Sequence, residues 1–153
     1  MSRRLLIISC SAKKRKTGHT VEAWELYDGM VFRVLKKLQR ENRFARNIDI
    51  AIVSAKYGLL LPAQKVKWYD LRMNPSIAQS QKRTVVSRLK KLAKRHTYGE
   101  VCINLGKDYL PAIGDPKLWK PRRAKLTFIE GEIGRRLHQI KKWAITKRFP
   151  STK

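Results

Sequence analysis

Acidic residues are scarce. Only 11 Asp or Glu stand against 36 Lys or Arg in 153 residues, a formal net charge of +25. Solubility asks for a net charge of only about 2–8 in magnitude. Self-repulsion at this excess destabilises a compact chain unless an anionic partner is normally at hand, and nucleic-acid phosphates are the commonest such partner. Cysteine is nearly absent: Cys10 and Cys102 make no disulfide framework, and no Cys/His spacing suggests zinc, so neither metal nor cofactor is expected. No apolar run approaches the roughly 18 residues of a membrane-crossing helix. The early apolar run in MSRRLLIISCSAKKRK spans only about six residues, short of a signal peptide's apolar core. A Lys/Arg cluster follows it, and it reads as the first strand of a cytoplasmic protein. Amphipathic anchors and lipidation motifs are missing too, which argues against a membrane partner. Neither an internal repeat nor a linker divides the chain. What is present is a hydrophobic share of 42%, enough to bury a core and to exclude a disordered basic tail.

One basic domain is therefore expected over residues 1–149, a monomer, with 150–153 as a frayed C-terminal end. Arg4–Ser9 (RLLIIS) is a short apolar run closed by small polar residues, the pattern of a buried strand. After the loop CSAKKRKTGH, Thr20 predicts an N-cap for a helix over Val21–Phe44. Its Trp24, Tyr27, Val31, Val34, Leu35 and Leu38 recur at three- and four-residue spacings. Ile48–Ser54 is a second strand, so the spacing predicts a right-handed crossover between parallel strands. Ala55–Pro75 has no clean period and reads as a long loop, a feature more often functional than idle. A helix from Pro75 to about His96 follows. Gly99 marks the break before a third strand, Glu100–Leu105, and Gly106–Ile113 holds a short helix or turn. A basic loop (Lys117–Lys125), a strand (Leu126–Ile129) and a helix (Ile133–Arg148) complete the pattern. The expected architecture is a three-layer α/β fold of about four mainly parallel strands flanked by helices.

In such folds ligands bind in the crevice beyond the carboxyl ends of the parallel strands. Those ends are Ser9-Cys10-Ser11, Ser54-Ala55-Lys56-Tyr57-Gly58 and Asn104-Leu105-Gly106-Lys107. Each carries small polar residues with a lysine at or just beyond it. The first exit can cradle an oxyanion through hydroxyls and backbone N–H groups, with Lys13 and Lys14 adding charge, although the Gly and Lys spacing of a P-loop is missing. Cys10 beside those lysines is a candidate nucleophile, and reads equally as a small residue ending a strand. At the second exit Lys56 precedes the apolar run Leu59–Leu61, where desolvation favours a neutral amine suited to Schiff-base chemistry. Phosphate binding, or pairing with Asp70, fits the same position. Trp68-Tyr69-Asp70 offers two aromatics to stack on a base and a carboxylate to act as one, or packs the loop and caps a turn. Candidate phosphate contacts are Lys13, Arg15, Lys16, Lys107, Arg122 and Arg123 in loops, with Arg135, Arg136, Lys141 and Lys142 on the last helix. That helix, expected to carry Lys147 and Arg148 as well, also has the composition of a solvated face. His19, His96 and His138 receive no role.

Five blocks together resemble the YaaA-like group of small bacterial and phage domains. They are Ser-Cys-Ser-x-Lys-Lys (Ser9–Lys14), Leu-Tyr-Asp-Gly (Leu26–Gly29), Ser-Ala-Lys-Tyr-Gly-Leu-Leu (Ser54–Leu60), Tyr-Asp-Leu (Tyr69–Leu71) and Gly-x-x-Gly-Arg-Arg-Leu (Gly131–Leu137). The likeness spans about Leu5 to Trp143 and is most specific at Ser54–Leu60. It implies an α/β protein associated with DNA and with damage tolerance or base chemistry. It also implies a site at Cys10, Lys14, Ser54, Lys56, Tyr57, Tyr69 and Asp70. The run Cys10–Lys14 is similar, further, to a Cys-Ser-x-x-Lys motif of archaeosine synthase, an enzyme acting on a modified base in tRNA. There a Pro precedes the Cys and Pro-Tyr follows the Lys, where this chain has Ser9 and Arg15-Lys16.

Charge, crevice and resemblance converge on one expectation: an enzyme acting on a damaged or modified base in nucleic acid, DNA rather than RNA, as an N-glycosylase with or without AP-lyase activity. Lys56, Asp70, Lys14 and Cys10 are its expected catalytic residues. Ser9, Ser11, Ser54, Tyr57, Trp68, Tyr69, Asn104 and Gly106 are its expected substrate contacts. A non-catalytic protein that coats DNA or RNA, and a tRNA base-modifying enzyme, are the alternatives.

Overall fold

The computed structural model describes residues 2–145. In chain order the elements are β1 (Arg3–Ser9), β2 (Val21–Glu22), α1 (Ala23–Leu26), α2 (Met30–Arg40), β3 (Ile48–Ser54), β4 (Gly58–Leu60) and β5 (Lys65–Val66). They continue with α3 (Pro75–Arg95), β6 (Tyr98–Asn104), α4 (Leu110–Ile113), a 3-10 turn (Pro116–Leu118), β7 (Lys125–Phe128) and α5 (Ile133–Ala144). One sheet has the order β4-β3-β1-β6-β7. β1 pairs in parallel with β3 and β6, β6 pairs in parallel with β7, and β4 runs antiparallel at the edge. Leu5, Leu6, Ile7 and Ile8 are all buried, as a central parallel strand covered on both faces requires.

From β1 the chain crosses to β3 on one side, then back past β1 to β6 on the other. Right-handed crossovers in opposite directions place α2 and α3 on opposite faces of the sheet. α2 packs with α5 and α3 with α4, which completes the three layers expected from sequence. The strand order reverses at β1, so the switch point, where folds of this kind bind ligands, lies at the carboxyl ends of β1 and β6. No helix among the described residues is long and apolar enough to cross a membrane.

The expected helix over Val21–Phe44 is not continuous. Val21–Glu22 pair with Lys65–Val66 as an antiparallel ribbon, Thr20 caps nothing, and α1 stops at Leu26. The physical reason lies in the β1 exit loop. Arg15 donates its N–H to the carbonyl of Leu26 at 2.8 Å, and Asp28 donates to that of Lys13 at 2.9 Å, so the backbone there is held in an extended pairing. The expected loop Ala55–Pro75 likewise contains β4 and β5, and among the described residues the main sheet has five strands rather than four. Gly99 lies inside β6 rather than before it. α3 begins where its signals place it: Asn74 Oδ1 accepts from Ile77 N–H at 2.8 Å, with Pro75 in the first turn. α5 ends at Ala144. Lys147, Arg148 and the expected frayed end at 150–153 lie outside the described residues.

Candidate functional site

Two side-chain clusters form at the carboxyl edge of the sheet. At the β3 exit, Tyr27 Oη lies 3.1 Å from Ser54 Oγ, Ser54 Oγ lies 3.0 Å from Tyr69 Oη, and the two phenols are 2.7 Å apart. A cyclic arrangement satisfies all three hydroxyls: Tyr27 donates to Ser54, Ser54 to Tyr69, and Tyr69 to Tyr27. Ser54 Oγ also accepts from the N–H groups of Lys56 and Tyr57 at 3.3 and 3.1 Å. Gln81 Nε2 donates to the carbonyls of Ser54 and Ala55 at 2.9 and 2.8 Å and so fixes the exit from the α3 side. Burial pushes the Tyr27 phenol up to about 12, against the opposing effect of its hydrogen bonds with Ser54 and Tyr69. Burial first, then Cys10 and Tyr27, raises Tyr69 as well. Both phenols therefore keep their protons at neutral pH and serve as hydrogen-bond groups, not as bases.

At the β1 exit, Cys10 is buried and its Sγ lies 3.3 Å from Tyr109 Oη. Tyr109 too is raised, chiefly by burial with Cys10 adding, so its hydroxyl stays protonated. Arg136 reaches across from α5, donating from Nη1 to Asn104 Oδ1 at 3.2 Å and from Nε to the Gly131 carbonyl at 2.8 Å. Ser11 Oγ donates to the Lys13 carbonyl at 2.6 Å and accepts from the Gly29 N–H at 3.2 Å, tying the exit loop to the start of α2. Around this edge, lysines lie against aromatic rings. Lys14 Nζ is 4.6 Å from the Tyr69 ring centroid, Lys16 Nζ 5.3 Å from that of Trp68, and Lys56 Nζ 5.5 Å from that of Tyr57.

The contact between Ser11 and Gly29 admits no side chain at residue 29. A Cβ there would stand 2.6 Å from Ser11 Cβ, an atom fixed to its own backbone. We expect Gly29→Ala to lose about 1–3 kcal/mol in urea titration, the usual cost of overpacking. The Ser11→Gly/Gly29→Ala double variant, which removes the clashing carbon, should recover part of it. A single variant as stable as the wild type would show that the exit loop yields freely.

Ser9, Cys10, Ser11, Lys14, Ser54, Tyr69, Asn104 and Gly106 are thus brought to one edge, but several differ from their expected roles. Lys56 is exposed on the turn between β3 and β4, not enclosed by the leucines that follow it. Asp70 is also exposed; among the described residues no ion pair joins it to Lys56 and its carboxylate caps no turn. Ser54 and Asn104 are buried and engaged by protein groups, not presented to a ligand. Tyr57 packs the loop: its hydroxyl donates to the Lys67 carbonyl and accepts from the Lys67 N–H, both at 3.1 Å. Trp68 presents an exposed ring. Lys13, Arg15, Lys16, Lys107 and Arg135 are exposed on loops or the first helical turn at this edge. Arg122 and Arg123 precede β7, which places them at the opposite edge, and Lys141 and Lys142 lie in the last turn of α5, away from its crevice end. Neither pair reaches the strand exits.

Tyr27, Tyr109 and Gln81 were not singled out from sequence. Tyr27 sits in phase with the apolar stripe of the expected first helix, which hid its hydroxyl. Tyr109 follows directly on the β6 exit, and that position could have marked it.

The class these features define is a doubly wound α/β domain whose carboxyl edge, at the β1 and β3 exits, carries cations laid against aromatic rings. Residues 5–142 match the model of a family of unknown function (DUF6884), and the chain belongs to that family. It is similar in fold to the crystal structure of AF0587, described as a protein of unknown function, with a TM-score of 0.55 and 12% identity over 96% of this chain and 46% of that one. The chain therefore spans less than half the length of AF0587. No curated protein matches it.

Proposed function

We propose that this protein binds DNA at the carboxyl edge of its sheet, takes one base into the crevice, and removes it as an N-glycosylase whose Lys14 amine can continue as an AP lyase. The observation that supports this best is the meeting, in a chain of charge +25, of a half-buried amine, aromatic faces and exposed cations at the carboxyl edge of the sheet. Phosphates flanking the target engage Lys13, Arg15, Lys16, Lys107 and Arg135, and the extruded base stacks on Trp68. Water adds to C1′ as the glycosidic C–N bond breaks; one water proton leaves with the base, and the sugar keeps the hydroxyl. Asp70, exposed beside Tyr69, is the carboxylate that orients that water. Lys14 gives up a proton to solvent and its amine condenses with the abasic aldehyde, expelling water. The protonated imine acidifies C2′; a water takes the C2′ proton, the C2′–C3′ double bond forms as the C3′–O bond breaks and the phosphate leaves, and hydrolysis of the unsaturated imine returns the Lys14 amine.

A second reading is favoured by the exposure of Lys56 and Asp70 and by their lack of an ion pair among the described residues: non-catalytic coating of nucleic acid. Labelled duplexes bearing uracil, hydroxymethyluracil, hypoxanthine, oxidised guanine, an abasic site or no lesion separate the two, each incubated with and without borohydride. Base release from one lesion, with a reduced secondary-amine adduct, is the result expected of the enzyme. Uniform binding across the panel, with a log–log salt slope of about −0.9 per phosphate contact and neither product, would reject catalysis in favour of coating.

A further inference from the structure

A second cationic feature lies away from the crevice. β4 forms one edge of the sheet, and beside α3 it leaves a groove of about 150 Å³. The half-buried Leu61, with the edges of the buried Leu59 and Leu92, supplies a narrow apolar lining, Gln64 a polar one, and Arg88, Lys91 and Arg95 the charge; among the described residues no acidic one lines it. The cations recur at i, i+3 and i+7, so they share one face of α3 and succeed one another by about 4.5 and 6 Å along its axis. α3 carries no Asp or Glu in its 21 residues, so nothing on that helix neutralises them. Arg88 is anchored, donating from Nη1 to the carbonyls of Leu59 at 2.8 Å and Tyr57 at 3.3 Å. That anchor sets its charge next to the turn bearing Lys56 at the β3 exit. Lys91 and Arg95 are exposed, with no ion pair among the described residues.

We infer that this groove holds a single-stranded segment of nucleic acid, its phosphodiesters on Arg88, Lys91 and Arg95 and a base or sugar face on the leucines. The inference rests on the nucleic-acid reading above, because a strand leaving the crevice past Lys56 meets this groove as its cationic continuation. A duplex keeps its bases stacked inward and offers mainly phosphate to such a surface, whereas a single strand also presents the apolar faces that the leucines suit.

The test uses the full chain and a fluorescent oligothymidylate of about 20 residues, titrated over a series of salt concentrations. Lys91→Glu/Arg95→Glu should weaken binding about tenfold or more and flatten the salt slope by about 1.4, two single-strand contacts at about 0.7 each. Lys141→Glu/Lys142→Glu makes the same change of net charge on the exposed last turn of α5 and should leave the slope unchanged. Equal losses in both doublets would overturn the groove in favour of net charge alone, as would wild-type affinity in the groove doublet. Displacement of the oligothymidylate by polyglutamate at equal charge concentration would overturn it in favour of an acidic peptide. The lesion panel is read separately. Base release with an indifferent groove doublet rejects only the groove, and the expected groove result without base release rejects only the crevice chemistry.

Discussion

In a Lys14→Ala protein the borohydride-trapped adduct should fall to background, because the amine that forms it is gone, while Lys56→Ala retains it. The two lysines differ in how they are held. Lys14 is half-buried, its backbone bridged to Tyr27, its ammonium 4.6 Å from the Tyr69 ring centroid and 3.3 Å from the Ala12 carbonyl. It therefore occupies a restricted position beside the β1 exit, at the crevice. Lys56 occupies the exposed tip between β3 and β4, where a long side chain samples many rotamers and positioning is weak. Lys14→Arg sharpens the test, since it keeps the charge and the contact with the ring but cannot form a Schiff base. It should bind nucleic acid like the wild type and form no adduct. An adduct lost in Lys56→Ala and kept in Lys14→Ala would move the reacting amine to the second exit.

What could be read from the residues alone was what local chemistry decides. The run Leu5–Ile8 can only be a covered strand, and Asn74-Pro75 carries both signals of a helix start. With strands and crossovers placed, the crevice follows from topology, which is why the exits at Ser9, Ser54 and Asn104 were legible. What long-range contacts decide was not. Trp24 and Tyr27 continue the helical phase into α2, yet the chain is broken between them and Met30 by hydrogen bonds arriving from residues 13–15. Ser54 has the composition of a ligand contact, but its partners lie 27 residues before it and 15 after it. Lys56 looked desolvated because Leu59–Leu61 follow it. Those leucines instead enter an edge strand and its flank, which leaves the lysine on the turn. Local pattern locates the site, and tertiary packing decides which of its groups remain available.

Stability should depend on the hydroxyl triangle cooperatively. Tyr27 is wholly buried, packed 5.3 Å from the Phe32 ring and edge-on to Tyr69 at 6.4 Å, so Tyr27→Ala should cost about 3–5 kcal/mol in urea titration, the range for emptying a buried aromatic site. Tyr27→Phe keeps the ring and isolates the hydroxyl. In the closed cycle each hydroxyl donates once; without Tyr27 Oη, the bond of 3.0 Å between Ser54 and Tyr69 can survive, but one buried proton is left without an acceptor. That orphan should cost about 1–3 kcal/mol. Tyr69→Phe opens the same cycle at another corner and should cost a similar amount. In the double variant only Ser54 remains, still accepting from the N–H groups of Lys56 and Tyr57, so the cycle cannot be broken a second time. The loss in Tyr27→Phe/Tyr69→Phe should therefore fall short of the sum of the single losses by 0.5 kcal/mol or more, the coupling about expected of groups in one network. Strict additivity would mean that the hydroxyls act independently and that the β3 exit is held by Gln81 and its two carbonyl bonds rather than by the cycle.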